Sequence, residues 1–130
     1  MNKNKRILIV DDDDSIRKTF FLILEKDYGI YSEKDPLEAL KNFKKEKIDL
    51  IITDLKLPNI NGLEMIERFR KSGYRGEVIL ISAYPDLINL EELNSLSVGH
   101  FFVKPLDLDS LNRSIDYILS PKKESERSEC

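Results

Sequence analysis

The chain has 130 residues, the length of a single domain. Its 21 Lys plus Arg against 24 Asp plus Glu leave a net charge of −3, without the basic surplus of proteins that coat nucleic acid or anionic membranes. No apolar run approaches the roughly 20 residues of a membrane helix, and the lone Cys130 permits neither an internal disulfide nor a zinc site.

In chain order, Ile7-Leu8-Ile9-Val10 is too short for a typical helix and suits a buried strand. It stops at four consecutive aspartates, Asp11 to Asp14, so the charged N-terminus does not read as a signal peptide, and a cytoplasmic protein is expected. Ile16, Phe20, Ile23 and Leu24 then share one helical stripe. Ile30-Tyr31-Ser32, after Gly29, is a fainter strand. Pro36 suits a first helical turn, followed by the stripe Leu37, Leu40 and Phe43. The Lys/Glu-rich stretch that follows, from Lys41 to Lys47, reads as a solvated face. Leu50-Ile51-Ile52 is the third strand and Leu63, Ile66 and Phe69 the third helical stripe. Val78-Ile79-Leu80-Ile81 is the fourth strand, with a looser stripe at Leu87, Leu90 and Leu93. Phe101-Phe102-Val103 is the fifth strand. Leu108, Leu111, Ile115, Ile118 and Leu119 make the last helix, with Asp107 or Asp109 as its cap. From Ser120 onward no aliphatic or aromatic residue occurs, so a domain over 1–120 and a polar tail over 121–130 are expected.

Strand then helix, five times, predicts an α/β fold: a doubly wound, five-stranded parallel sheet covered by helices on both faces through right-handed crossovers. In the flavodoxin-like order 2-1-3-4-5, the first and third strands are neighbours where strand order reverses, and ligands bind there, beyond the strands' carboxyl ends. The residues following the strong strands are Asp11-Asp12, Asp54, Ser82 and Lys104. Three carboxylates brought within about 4 Å repel by roughly 4 kcal/mol per pair at an effective dielectric near 20. A proton or a cation must relieve them, and hard oxygen donors favour Mg²⁺, Mn²⁺ or Ca²⁺. With so few protein ligands, Mg²⁺ fits best. A carboxylate nucleophile, a divalent cation, a lysine ammonium and a serine hydroxyl make a phosphoryl-transfer set, in which Asp54 attacks phosphorus, the cation and Lys104 neutralise its oxygens, and Ser82 hydrogen-bonds one of them.

Four fragments in this order and spacing carry a family resemblance: Ile7-Leu8-Ile9-Val10-Asp11-Asp12; Ile51-Ile52-Thr53-Asp54-Leu55-Lys56-Leu57-Pro58 with Gly62; Ile81-Ser82-Ala83; and Phe101-Phe102-Val103-Lys104-Pro105. Over about residues 5–119 the sequence closely resembles the receiver domain of two-component response regulators, the CheY-like family. The resemblance implies that Asp54 is the phosphoacceptor, served by a phosphohistidine on a sensor histidine kinase. It also implies that Asp12 ligates Mg²⁺ directly, Asp11 through water and Lys56 through its backbone carbonyl. Ser82 is then the switch hydroxyl, Phe101 the switch aromatic, Lys104 the phosphate-binding lysine, and the Lys104–Pro105 peptide cis. The implied output is a changed affinity of the fourth-helix, fifth-strand, fifth-helix face for an unidentified protein effector, with dimerisation on phosphorylation an open outcome; the charge balance argues against direct contact with nucleic acid. Asn61 stands where many relatives have Asp, and Phe101 where Tyr is commoner. Lys56 and Tyr84, each two residues past a site residue, lie where the family tunes phosphoryl lifetime.

Two other readings compete. Asp11-Asp12-Asp13-Asp14-Ser15 also fits the opening of haloacid-dehalogenase-type phosphatases, with Asp11 as nucleophile and Asp13 as acid, although no late acidic pair follows Lys104. The chain could instead be a binding module that keeps the fold without phosphorylation, against which the intact set of Asp11, Asp12, Asp54, Ser82 and Lys104 argues. An aspartate run also suits a helix N-cap, which accounts for Asp13 or Asp14. His100 has no second His or Cys to form a metal site and is read as a loop residue.

Overall fold

The apolar strands pair side by side because none has a polar face to turn to water. The computed structural model describes residues 2–44 and 46–121. Its elements are β1 (Asn2–Val10), α1 (Asp14–Leu24), β2 (Tyr28–Glu33), α2 (Pro36–Phe43), β3 (Leu50–Asp54), α3 (Gly62–Lys71), β4 (Glu77–Ser82), α4 (Leu90–Ser95), β5 (His100–Val103) and α5 (Leu108–Ile118), with a 3-10 turn at Pro85–Leu87. All strand pairings are parallel and the order is β2-β1-β3-β4-β5, as the alternation of elements predicts. Among the described residues no helix is long and apolar enough to cross a membrane.

The period of two along each strand divides the core into two layers. Leu8, Val10, Ile51, Val78 and Leu80 face one way and pack with Ala39 and Leu40 of α2, Leu63, Ile66 and Phe69 of α3, and Leu93 of α4. Ile7, Ile9, Leu50, Ile52, Ile79 and Ile81 face the other way and meet Phe20 and Leu24 of α1 and Leu111, Ile115 and Ile118 of α5. Each fully buried aliphatic side chain contributes about 1.5–3 kcal/mol. This two-sided burial makes β1, β3 and β4 rigid props for whatever follows their carboxyl ends.

Every α-helix starts on an Asx cap. Asp13, Asp35, Asn61, Asn89 and Asp107 accept from the backbone N–H of Ser15, Leu37, Glu64, Glu91 and Ser110 respectively. Of the two candidates for α5 the cap is Asp107, and Asn61 performs as cap of α3.

Four local expectations change. His100, read as a loop residue, opens β5 and pairs with Ile79 of β4. β1 begins at Asn2, well before the apolar run. The loose stripe at Leu87, Leu90 and Leu93 is not one helix: Pro85 starts a 3-10 turn, Ile88 is extended, and Asn89 caps a new helix of 6 residues. Only Leu93 of that stripe is buried, while Leu90 is 70% exposed. β5 lies at the sheet edge, so Phe101 and Phe102 are half-buried and Val103 is exposed, rather than enclosed like β3. Of the expected tail, residues 122–130 lie outside the described residues.

Candidate functional site

The β1–β3 register pairs Val10 with Thr53, so Asp11 and Asp54 emerge side by side where the strands end. Asp54 is in turn paired with Ile81 on β4, and Ser82 with Val103 on β5. The Lys104 N–H donates to the Ser82 carbonyl at 2.9 Å, carrying the fifth strand end into the same cluster. Carboxylate oxygens of Asp11, Asp12 and Asp54 lie within 4.8 Å of one another. Lys104 Nζ donates to Asp54 Oδ2 at 3.1 Å and to Asp11 Oδ2 at 3.4 Å. Four sequence-predicted residues, from three strand ends, thus share one pocket.

The four aspartates in a row do four different things. Asp11 is buried, at 2% exposure, and its Oδ1 accepts from the Asp13 N–H at 2.9 Å. Asp12 is exposed at the pocket rim. Asp13 caps α1, its Oδ1 accepting from the Ser15 N–H at 2.8 Å. Asp14 forms an ion pair with Arg17. The two of the run that gather with Asp54 are therefore Asp11 and Asp12, and the aspartate that a haloacid-dehalogenase-type reading would use as acid is bound to the start of a helix. Burial holds the Asp11 pKa above the ordinary carboxylate value; the Asp13 N–H opposes this, the Asp54 charge adds to it, and Lys104 offsets only part. Burial also works against the Lys104 ammonium. The hydrogen bond to Asp54 and the charges of Asp11 and Asp54 outweigh it, so its pKa stands above the ordinary lysine value.

The Asp54 main chain is fixed by two neighbours. The Thr53 hydroxyl, fully buried, donates to the Asp54 carbonyl at 2.9 Å. Gly62, at the start of α3, packs so closely on that carbonyl that a Cβ would collide with its oxygen. Ser82 is buried, and its Oγ accepts from the Tyr84 N–H at 2.8 Å. Lys56 and Asp12 line an open groove of about 440 Å³ with Leu57, Pro58 and Asn61, and the Lys56 ammonium stands 4.6 Å over the Tyr84 ring. Phe101 is half-buried against the core layer that holds Leu80 and Leu93. The Lys104–Pro105 peptide is cis.

As a donor set this is three hard carboxylate oxygens with no imidazole or thiolate among them. At such separations the repulsion is about 3–4 kcal/mol per pair at an effective dielectric near 20, of which one ammonium relieves a part. The chemistry fits a small divalent cation that keeps part of its water shell.

Comparison with known proteins decides the family. A model described as "Response regulator receiver domain" matches residues 7–116. The chain belongs to the response regulator receiver family.

The receiver domain is 32% identical over 120 residues to sporulation initiation phosphotransferase F of Bacillus subtilis, covering 92% of this chain and 97% of that protein. Other relatives are much longer: the chain spans 16% of the CAI-1 autoinducer sensor kinase/phosphatase CqsS of Vibrio cholerae, at 34% identity over 82% of this chain. Among solved structures, the CheY-like receiver domain of Methanospirillum hungatei superposes with a TM-score of 0.84 at 29% identity, covering 93% of this chain and 98% of that one. The response regulator TrrA of Thermotoga maritima, solved in complex with Mg²⁺ and BeF, gives 0.76 at 34% identity, covering 88% and 99%. Receiver domains are phosphoacceptor switches of two-component signalling that meet histidine kinases or phosphotransfer proteins and bind Mg²⁺ at an acidic pocket.

Sequence reasoning missed the supports around this receiver pocket. Nothing in the text marks Thr53 as the group that holds the Asp54 carbonyl, because a threonine at a strand end is ordinary β-sequence. Arg17 was equally silent, although its spacing of three from Asp14 suits a helical ion pair.

Proposed function

We propose that this chain is a phosphorylation-activated switch whose phosphoacceptor is Asp54. The observation that carries the reading is the meeting of Asp54, Asp11, Asp12 and Lys104 in one pocket, with the Lys104 ammonium 3.1 Å from Asp54. An Asp54 carboxylate oxygen attacks the phosphorus of a phosphohistidine on a sensor histidine kinase or phosphotransfer protein. The new P–O bond forms as the P–N bond breaks, and the imidazole nitrogen keeps the electron pair and takes a proton. Lys104 accepts the growing charge on the phosphoryl oxygens. Asp12, Asp54 and the Lys56 carbonyl would hold Mg²⁺, with Asp11 reaching it through water. When bound, the ion neutralises phosphoryl charge, and Mn²⁺ has the same ligand preferences.

The output follows from Ser82 and Phe101. The Ser82 hydroxyl, now held by the Tyr84 N–H, turns to a phosphoryl oxygen. Phe101 then repacks, and the face of α4, β5 and α5 changes its affinity for a protein effector or for a second copy of the chain. The domain works in the cytoplasm, where such kinases present their phosphohistidines, and spans residues 1–120.

The test is incubation with acetyl phosphate and Mg²⁺, read by intact mass. One phosphoryl group on the wild type and none on Asp54→Ala is the expected result. Equal uptake by both removes Asp54 from its role. Turnover of a generic phosphate ester would instead support the phosphatase reading, and failure to bind Mg²⁺ would support a binding module without phosphorylation.

A further inference from the structure

Resting on that reading of the pocket, we propose that Arg17 is a positioning residue for the metal-binding turn. Its guanidinium grips the Asp11 main chain so that Asp11 and Asp12 face Asp54, and it keeps Asp14 away from the cation.

Where β1 ends, the Asp11 peptide has left the ladder with β3, whose last pair is Val10 with Thr53. Its N–H is still held, donating to the Glu33 carbonyl of β2 at 3.1 Å. Its carbonyl has lost its strand partner, and a buried carbonyl without one costs free energy. Arg17, six residues on, supplies the donor: Nη1 reaches the Asp11 carbonyl at 2.5 Å. The other amino group, Nη2, pairs with Asp14. A planar guanidinium presents these two donors in a fixed fork, which a lysine cannot reproduce.

The two contacts differ in weight. The Asp14 side chain is 87% exposed, and such surface pairs contribute little to stability. The Arg17 side chain is only 17% exposed, and its bond to the Asp11 carbonyl lies in the partly buried turn. Its consequence is geometric. With the Asp11 N–H, carbonyl and carboxylate all engaged, the peptide that leads to Asp12 has one orientation. Of the four adjacent acids, Asp13 is taken by the helix cap and Asp14 by Arg17, and two remain for the ion.

Charge and geometry make opposite forecasts. Removing a nearby positive charge should tighten Mg²⁺ binding by Coulomb's law alone. Removing the grip should weaken it, and partners that orient metal ligands typically contribute about 10–100-fold to affinity. The experiment is Mg²⁺ titration by calorimetry on the metal-stripped full chain, with thermal unfolding in EDTA alongside. Arg17→Met is expected to bind Mg²⁺ about tenfold more weakly than wild type. Arg17→Lys keeps the charge but not the fork, and is also expected to weaken binding. Asp14→Asn is expected to keep wild-type affinity.

Failure of the unaltered chain to bind Mg²⁺ overturns the reading of the pocket itself. If it binds, and folded Arg17→Met or Arg17→Lys matches or exceeds its affinity, only the role of Arg17 falls. A lower unfolding temperature with unchanged Mg²⁺ affinity marks a purely structural residue and overturns the proposal as well. Should Arg17→Met not fold, the charge-conserving Arg17→Lys decides. A loss in Asp14→Asn as large as in Arg17→Met makes Asp14 a ligand and overturns the division of the four acids.

Discussion

Lys104 and Asp54 lie 50 positions apart in sequence, yet the ammonium of one stands 3.1 Å from the carboxylate of the other. The contact exists because β3 and β5 flank β4 in register and both end at the same edge of the sheet. Lys104 also reaches Asp11 at 3.4 Å, so a single cation spans two of the three carboxylates. Lys104→Ala is expected to slow phosphorylation by acetyl phosphate about a hundredfold, the usual loss when one preorganised donor to a developing anion is removed. Mg²⁺ affinity should rise, since the carboxylates lose their competing cation. A phosphorylation rate that survives intact would free Lys104 from any part in the transfer.

Burial of Asp11 sets a pH dependence with a definite sign. Its folded pKa lies above the unfolded value of 3.8, so the folded chain holds a proton over an interval in which the unfolded chain has lost it. In EDTA, the contribution of this group becomes more favourable as pH falls through the folded pKa and is complete below 3.8; above the folded pKa it is a standing penalty. Lys104 acts at the other end. Its folded pKa is raised, so its contribution is whole below 10.5 and is lost as pH rises through the folded value. Asp11→Asn keeps an oxygen for the Asp13 N–H and removes the charge. Without metal it should be more stable than wild type at neutral pH, and the advantage should shrink on acidification. Urea midpoints of the two proteins in EDTA across the acid range provide the check, and parallel curves would contradict the assignment.

Much of this was legible because strand and pocket use different alphabets. The runs 7–10, 50–52 and 78–81 within β1, β3 and β4 are purely Leu, Ile and Val, so the polar residues that follow each run mark where the strand ends, and the site residues stand among them. With the order 2-1-3-4-5, placing the site then needed only the rule that ligands gather where strand order reverses. The segment from Ala83 to Ser97 was not legible. Leu87, Leu90 and Leu93 are spaced as for a helix, but Pro85 and the extended Ile88 divide the segment. Its exposed leucines carry the periodicity without the burial that periodicity normally reports. The supports of the pocket were hidden for another reason. Arg17 acts on a main-chain carbonyl, and main-chain groups leave no trace in the choice of side chains.

Gly62 gives a prediction in which the obstacle is backbone. An added Cβ would press on the Asp54 carbonyl oxygen, with the Thr53 hydroxyl beside it, and neither can swing aside as a flexible side chain would. Gly62→Ala is therefore expected to destabilise the fold by about 1–3 kcal/mol, the usual cost of overpacking. The end of β3 should shift with it, lowering Mg²⁺ affinity. Urea denaturation measures the first effect and calorimetric titration the second. Retention of both at wild-type values would mean that α3 moves away without cost to the pocket.

Ser82 offers a way to separate chemistry from output. Its hydroxyl stands apart from the Lys104–carboxylate hydrogen bonds; it accepts from the Tyr84 N–H at the start of the segment that leads through the 3-10 turn to α4. Ser82→Ala removes that acceptor and leaves a partly buried N–H unpaired, at a cost of about 1–3 kcal/mol. The carboxylates and Lys104 remain, so Asp54 should still take up a phosphoryl group from acetyl phosphate at a similar rate. Without the hydroxyl there is nothing to draw this segment toward the phosphoryl oxygens. Amide resonances of α4 and β5 that move on phosphorylation of the wild type should therefore stay near their unphosphorylated positions in Ser82→Ala. Wild-type shifts in the variant would show that phosphorylation reaches α4 by a route that does not pass through residue 82.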